Sequence, residues 1–291
     1  MLNFILSTEA ACDLSLEQAK EQNISVLPMS YFINEIEYRS DDPNMTLKMV
    51  CDEMRKGAKT KTSQPNEYEA EEYFKKLLEK GQDILHVSFS GGQSGTAETM
   101  RKVAEKLNAT SENKIYTVDS LCQSLGVALL LYMAKDKAEK ENLSAKETAE
   151  YLEGEKRGIA HSFIVDSLTY LARGGRVSKS SAIIGNIVNI KPVLHLEEKE
   201  GKIVMLQKVF GRNRSIKTIL QKFRDYYNGK FNTVFVSNAD CLKEAEYVKA
   251  ELLKINPELN VIIDDLGTVI TCHSGPGTMA IYYTVDSRAN A

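Results

Sequence analysis

Residues that carry chemistry on their own are thinly spread in this chain. Its five cysteines (Cys12, Cys51, Cys122, Cys241 and Cys272) are scattered and form no C-x-x-C pair. Neither a zinc site nor a disulfide framework is indicated, and buried free thiols in a reducing compartment are the expectation. Four histidines, His86, His161, His195 and His273, are too dispersed to suggest a metal cluster. The chain contains no G-x-S-x-G elbow, no H-E-x-x-H pair and no Walker lysine, so no nucleophile, base or metal site stands out. No run approaches the roughly 20 apolar residues that span a bilayer. The most apolar stretch, Val127–Ala134, fits about two turns of a buried helix. The N-terminal Met1–Leu6 lacks the basic region and small-residue cleavage site of a signal peptide. A net charge of −3 and a pI near 5.9 give no footprint for nucleic acid and no hold on an anionic membrane. The expectation is a soluble cytoplasmic protein.

What is present is ordinary globular material: 43% hydrophobic and 26% charged residues over 291 positions. That length is at the limit of one core, so two domains are expected. In the first half, short apolar runs (Phe4–Leu6, Ile84–Phe89, Ile115–Val118) alternate with amphipathic segments, the pattern of a βαβ domain with a parallel sheet. The helix after Pro65 is clearest, with Ala70, Tyr73, Phe74, Leu77 and Leu78 on one stripe and an Asn66/Glu69 capping box at its start. A short helix is expected over Leu16–Gln22, a long one from Cys122 to Glu139, and a further one capped by Ser144 and Glu147. Beyond about Ile159, strands are expected at Ile164–Leu168, Ile203–Val209, Thr233–Ser237 and Val261–Ile263, with helices over Asn213–Tyr227 and Leu242–Leu253. Met279, Ile281, Tyr283 and Val285 alternate with period two, as in a closing antiparallel strand. The fold class is therefore α/β: an N-terminal parallel-sheet domain, residues 1–158, and a C-terminal α/β domain with a mixed or antiparallel sheet, residues 159–291.

Four segments could hold a ligand. Ser90-Gly91-Gly92-Gln93-Ser94-Gly95-Thr96 follows a strand and opens a helix, which aims backbone N–H groups at an anion. A tight strand-to-helix turn explains it equally well. Thr60-Lys61-Thr62-Ser63-Gln64-Pro65 precedes a helix, and simple N-capping is favoured for it in isolation. In a parallel α/β sheet, however, two such helix starts gather on one edge, where ligands bind. Leu171-Ala172-Arg173-Gly174-Gly175-Arg176 offers two guanidinium groups to an anion or an acidic partner, or is merely a helix C-terminus. His273 precedes a Gly-Pro-Gly turn, and its imidazole can donate to a carboxylate. Between them, Ser181–Ile190 is nearly uncharged. It reads as core, or as the wall of an apolar tunnel with Ile183, Ile184 and Ile187.

In their order and spacing these segments resemble the DegV family of bacterial fatty-acid-binding proteins, which includes the lipid-carrying subunits of fatty acid kinases. The pieces that carry the resemblance are Thr8–Leu14, Thr62-Ser63-Gln64-Pro65, Ser94-Gly95-Thr96, Val118-Asp119-Ser120, Tyr170–Arg176, Asn189-Ile190-Lys191-Pro192 and His273–Gly277. Glu9, Ala10 and Gln93 depart from the family pattern. The resemblance implies a non-enzymatic protein without a cofactor. One long-chain fatty acid would lie between two domains, with its carboxylate held by Thr62, Ser63, Ser94, Gly95 and His273. It also implies presentation of that carboxylate to a partner kinase with a dihydroxyacetone-kinase-like nucleotide domain, with Arg173 and Arg176 contacting the partner or the anion. Two competing readings are a phosphate-handling enzyme, with the Gly-rich loop and the arginines on a phosphorylated small molecule, and a pure interaction module.

Overall fold

The structure, a computed structural model, describes residues 2–177, 190–289 and 291. Three sheets are present among them. The first is parallel throughout and runs in the order β2-β1-β6-β7, with β1 Ile5–Glu9, β2 Ile24–Leu27, β6 Ile84–Ser88 and β7 Ile115–Asp119. Its strands β1 and β6 are buried at every position, as expected when both faces of a parallel sheet are covered. The helices α3 (Glu67–Leu78) and α4 (Thr96–Asn108) cover one of those faces, burying Ala70, Phe74 and Leu77 beside Met100, Val103 and Ala104.

The second sheet has six strands in the order β10-β9-β8-β13-β11-β12. These are β8 Ile159–Ile164, β9 Ile190–Leu196, β10 Ile203–Phe210, β11 Thr233–Asn238, β12 Asn260–Asp265 and β13 Met279–Thr284. All its neighbours are antiparallel except β11 and β12, so the sheet is mixed. Its two faces separate by the period of two: Ala280 and Tyr282 of β13 face one core, Ile281 and Tyr283 the other.

Helix α5 (Leu125–Glu141) lies between the two large sheets, in contact with strands of both. From Leu125 to Ala134 every residue but Tyr132 is buried. A helix apolar on all sides has no solvent face and requires a neighbour on each side. Here Leu85 and Val87 of β6, and Phe163, Phe235, Ala280 and Tyr282 of the second sheet, join it in one cluster. The Tyr132 and Phe235 rings meet edge to face, 5.2 Å between centroids.

The third sheet, β4-β3-β5, is small and antiparallel: β3 Ser30–Ile33, β4 Ile36–Arg39 and β5 Thr60–Ser63. Its strands are four residues long, too short to raise a pattern in the sequence; β5 is wholly polar (Thr-Lys-Thr-Ser), whereas β3 (Ser-Tyr-Phe-Ile) is largely apolar. Thr60–Ser63 therefore corrects the expected N-cap: it is an edge strand, and Asn66 supplies the cap, with Glu69 completing the capping box. The strand expected at Ile164–Leu168 lies earlier, at Ile159–Ile164, because Ser167 and Thr169 form a hydroxyl-bonded turn beyond it. Among the described residues the remaining α-helices are α1 (Leu16–Glu21), α2 (Leu47–Arg55), α6 (Ala145–Glu155), the one-turn α7 (Thr169–Arg173), α8 (Arg212–Tyr226), α9 (Leu242–Ile255) and α10 (Thr268–Ser274). Ile183, Ile184 and Ile187 lie outside the described residues.

The cap on α3 is directly testable. Asn66→Ala removes the acceptor for the Glu69 amide and is expected to cost about 1 kcal/mol in a urea-unfolding series. An unchanged midpoint would show that the cap contributes nothing.

Candidate functional site

The carboxyl ends of β1 and β6 point toward the gap between the first and second sheets, where ligands bind in open α/β architectures. A cavity of about 350 Å³ occupies that gap. Its polar lining comes from Thr62, Ser63, Gln64, Gln93, Ser94, Thr96, Gln123, Arg176, His273, Ser274 and Thr278. The remainder is largely apolar, with Met29, Phe89, Phe163, Leu171, Ile203 and Ile270 among its walls. Polar donors beside apolar walls suit an amphiphile.

His273 is held by neighbours distant in the sequence. It sits in the last turn of a seven-residue helix, α10 (Thr268–Ser274). Alternation along β5 turns Thr60 and Thr62 toward that helix: Thr60 Oγ1 donates to the Cys272 carbonyl at 2.7 Å, and Thr62 Oγ1 shares a 2.7 Å hydrogen bond with His273 Nε2. The other ring nitrogen faces Gly174, where an added Cβ would stand 2.3 Å from Nδ1. No other residue type leaves room for the ring there. Directly after His273 and Ser274, Gly275 takes φ +87 and its Cα packs on the Tyr170 ring, which ends α10 sharply. Burial, reinforced by the Arg176 guanidinium, pushes the imidazole down to about 4. His273 is therefore neutral at pH 7.

The Gly-rich loop is tied on both sides. The Gly91 amide donates to Asp119 Oδ1 at 3.0 Å. Ser90 Oγ (3.1 Å) and Gln93 Nε2 (2.9 Å) both donate to the Gly201 carbonyl, in the turn joining β9 and β10. Gln93 is thus a tether from the first sheet's loop to the second sheet, as well as part of the cavity wall. Ser94 Oγ lies 2.8 Å from Thr96 Oγ1.

The loop is also fixed from beneath. Glu9 is fully buried. One of its oxygens accepts the Phe89 amide at 2.6 Å, and the other lies 3.0 Å from His86 Nε2. His86 Nδ1 in turn lies 2.8 Å from Ser7 Oγ. Serine, histidine and carboxylate in this order resemble a hydrolase triad. However, Ser7, His86 and Glu9 are all 0% exposed, so no substrate reaches the hydroxyl. Their role is structural: a buried carboxylate survives only with hydrogen bonds to both oxygens, and one of those bonds anchors the root of the Gly-rich loop.

Of the residues singled out from the sequence, Thr62, Ser63, Ser94, Arg176 and His273 line the cavity. Gly95 lines an adjoining hollow of about 580 Å³, which shares Gln64, Gln93, Ser94 and Arg176 with it. Arg173 is exposed and lines neither. Among the described residues no carboxylate pairs with Arg176. Gln64 and Thr96 fall in two of the segments singled out from the sequence, whereas Gln123 and the aromatic walls Phe89, Phe163 and Tyr282 were missed. Only Tyr282 had a signal, since the alternation in β13 puts it opposite Tyr283. Among the described residues no group of three or more His, Cys, Asp or Glu side chains could hold a metal, and no helix is long and apolar enough to cross a membrane.

The family model described as "Uncharacterised protein, DegV family" matches residues 4–286. The chain belongs to the DegV family. A DegV domain-containing protein of Clostridium perfringens is 32% identical over 291 residues, covering 99% of each chain. Two solved relatives share the fold at 26% identity, each covering 98% of this chain and 100% of its own. One is a DegV family protein from Thermus thermophilus described for its fatty acid binding, TM-score 0.85. The other is DegV from Bacillus subtilis, described as a fatty acid binding protein, TM-score 0.83. The DegV fold thus accounts for the parallel and mixed sheets, and for the cavity between them.

Two measurements follow from this geometry. An NMR titration of the His273 ring should show a midpoint near 4. As pH falls from about 6.5 toward 4, the unfolded chain binds a proton that the folded one refuses, so this histidine costs stability across that window. A midpoint near 6.5 would contradict the burial of the ring. Separately, Glu9→Ala strands the Phe89 amide and should destabilise by about 3 kcal/mol in chemical unfolding, while Glu9→Gln, which keeps an acceptor, should lose less. Equal losses would remove the anchoring role.

Proposed function

We propose that this protein binds one long-chain fatty acid, with its carboxylate at the polar side of the cavity and its acyl chain along the apolar walls. The observation that carries the reading is the convergence of Thr62, Ser63, Ser94 and His273, from three separated segments, on one cavity that also has apolar walls, with Thr62 and His273 joined by a hydrogen bond of 2.7 Å. Gly95, at the start of α4, adds a backbone N–H from the adjoining hollow. The fatty acid binding described for the Thermus thermophilus and Bacillus subtilis relatives supports the choice of ligand.

The energetics suit it. Each CH₂ taken into the cavity contributes roughly 0.8 kcal/mol, and hydroxyl and imidazole donors offset the cost of desolvating a carboxylate. A neutral His273 donates a hydrogen bond without burying a second charge, and Arg176 supplies the positive charge. Walls such as Phe163, Ile203 and Tyr282 suit a hydrocarbon better than a phosphorylated metabolite.

The two halves, residues 1–158 and 159–291, act as jaws around the ligand. The protein works as a carrier in the cytoplasm, where its free thiols stay reduced. It performs no catalysis on the acid itself. A kinase partner with a dihydroxyacetone-kinase-like nucleotide domain would take the carboxylate at the mouth, with exposed Arg173 as a contact.

The test is denaturing extraction of freshly purified protein with mass spectrometry of the lipid fraction, where one fatty acid per chain is expected. Ser94→Ala and His273→Ala should each weaken uptake of added fatty acid about tenfold, the loss of one hydrogen bond to a charged group, with unchanged circular dichroism. An empty protein that refuses added fatty acid, or two variants of wild-type affinity, would falsify the assignment.

A further inference from the structure

The average charge of this chain hides a sharp segregation. Between Glu200 and Asp225 there is no acidic residue, while Lys202, Lys208, Arg212, Arg214, Lys217, Lys222 and Arg224 all fall there. The protein as a whole carries −3, so the rest of the chain is correspondingly acidic.

Folding gathers part of this positive charge into one groove. It measures about 660 Å³ and lies between the end of β10 and helix α8. Lys208 and Phe210 enter from the strand, and Arg214, Lys217 and Gln221 from the helix, whose Asp225, the one carboxylate among the described lining residues, accepts a hydrogen bond from Gln221 Nε2 at 2.7 Å. Arg214, Lys217 and Gln221 recur at i, i+3 and i+7, so they share one helical face. Among the described residues Lys208, Arg214 and Lys217 have no carboxylate within ion-pair distance, whereas neighbouring Arg212 is neutralised by Glu244 and Asp166. Phe210 leaves 59% of its surface in water at the groove's end.

Edge strands commonly carry a lysine to discourage pairing. That accounts for Lys208 but not for Arg214 and Lys217, which are off the sheet, nor for an exposed phenylalanine, which would encourage contact. The groove is also separate from the fatty acid cavity. Helix α8 packs with Ile281 and Tyr283, on the opposite face of the sheet from Ala280 and Tyr282.

We propose that this groove is a docking site for an acidic, extended segment of a partner polypeptide. Glutamates or aspartates of that segment would pair with Lys208, Arg214 and Lys217, and an apolar side chain would cover Phe210. Among the described residues β10 pairs with β9 alone, so its outer edge offers main-chain hydrogen bonds that a peptide can use. The open strand edge beside these basic side chains favours an extended polypeptide, whose main chain can pair with it, over a bilayer or a duplex, which cannot. The docking does not depend on the fatty acid reading.

The probe is a short fluorescent peptide of alternating glutamate and valine, titrated by anisotropy against the full-length protein. Saturable binding that weakens with rising salt is expected. The Lys208→Glu/Arg214→Glu/Lys217→Glu variant should lose at least about tenfold in affinity while keeping the wild-type melting curve. Should the triple variant fail to fold, Lys217→Gln alone should still lose a few-fold. The proposal is overturned if the peptide does not bind. It is equally overturned if the substitutions leave binding unchanged, or if phosphatidylglycerol vesicles or a single-stranded oligonucleotide bind the groove more tightly than the peptide.

Discussion

Everything in this molecule hangs on one helix that has no solvent side. Residues Leu125–Ala134 of α5 are buried nearly all round, so the helix cannot rest on a single sheet. It needs the parallel sheet on one flank and the mixed sheet on the other. Burying a Leu, Val or Met side chain contributes about 1.5–3 kcal/mol, and this helix places several of them against both halves. The two sheets are thereby fixed in relation to each other, and so is the gap between them. The cavity is a consequence of that spacing, since the strand ends and their loops reach past α5 and close around a space that it does not fill.

Within the gap, the polar side is assembled from pieces that are weak alone. A seven-residue helix such as α10 does not persist in isolation, and β5 is an edge strand of four residues. Each steadies the other through the two threonine hydrogen bonds to Cys272 and His273. The Gly-rich loop is held by Glu9 on one side and by the Gly201 carbonyl on the other. The donors are therefore oriented before any ligand arrives, which lowers the ordering cost of binding.

The sequence announced the layered α/β architecture because strands such as Ile84–Phe89 and stripes such as Ala70–Leu78 are long and periodic. Four cavity-lining polar residues beside Arg176, namely Thr62, Ser63, Ser94 and His273, were expected because the order and spacing of their segments resemble the DegV family. The sequence concealed the third sheet, whose strands are only four residues long and in β5 wholly polar, so Thr60–Ser63 read as a cap. It gave no hint of the Glu9–His86 pairing, because contacts between residues 77 positions apart are created only by the pairing of β1 with β6. Gln93 stood out only as a departure from the family pattern, and the fold shows its amide reaching across to Gly201. The basic groove was lost in the mean, since net charge carries no information about where the charges lie.

A cavity walled by two sheets that share one core also makes occupancy part of stability. When the sheets separate, the walls separate with them, and anything inside is released to water. A ligand that binds only the closed form therefore stabilises the fold by RT ln(1 + [L]/Kd), about 2.7 kcal/mol at a hundredfold excess over Kd. The melting temperature of this protein is accordingly a readout of what it is carrying, and preparations that differ in cargo will differ in apparent stability without differing in sequence.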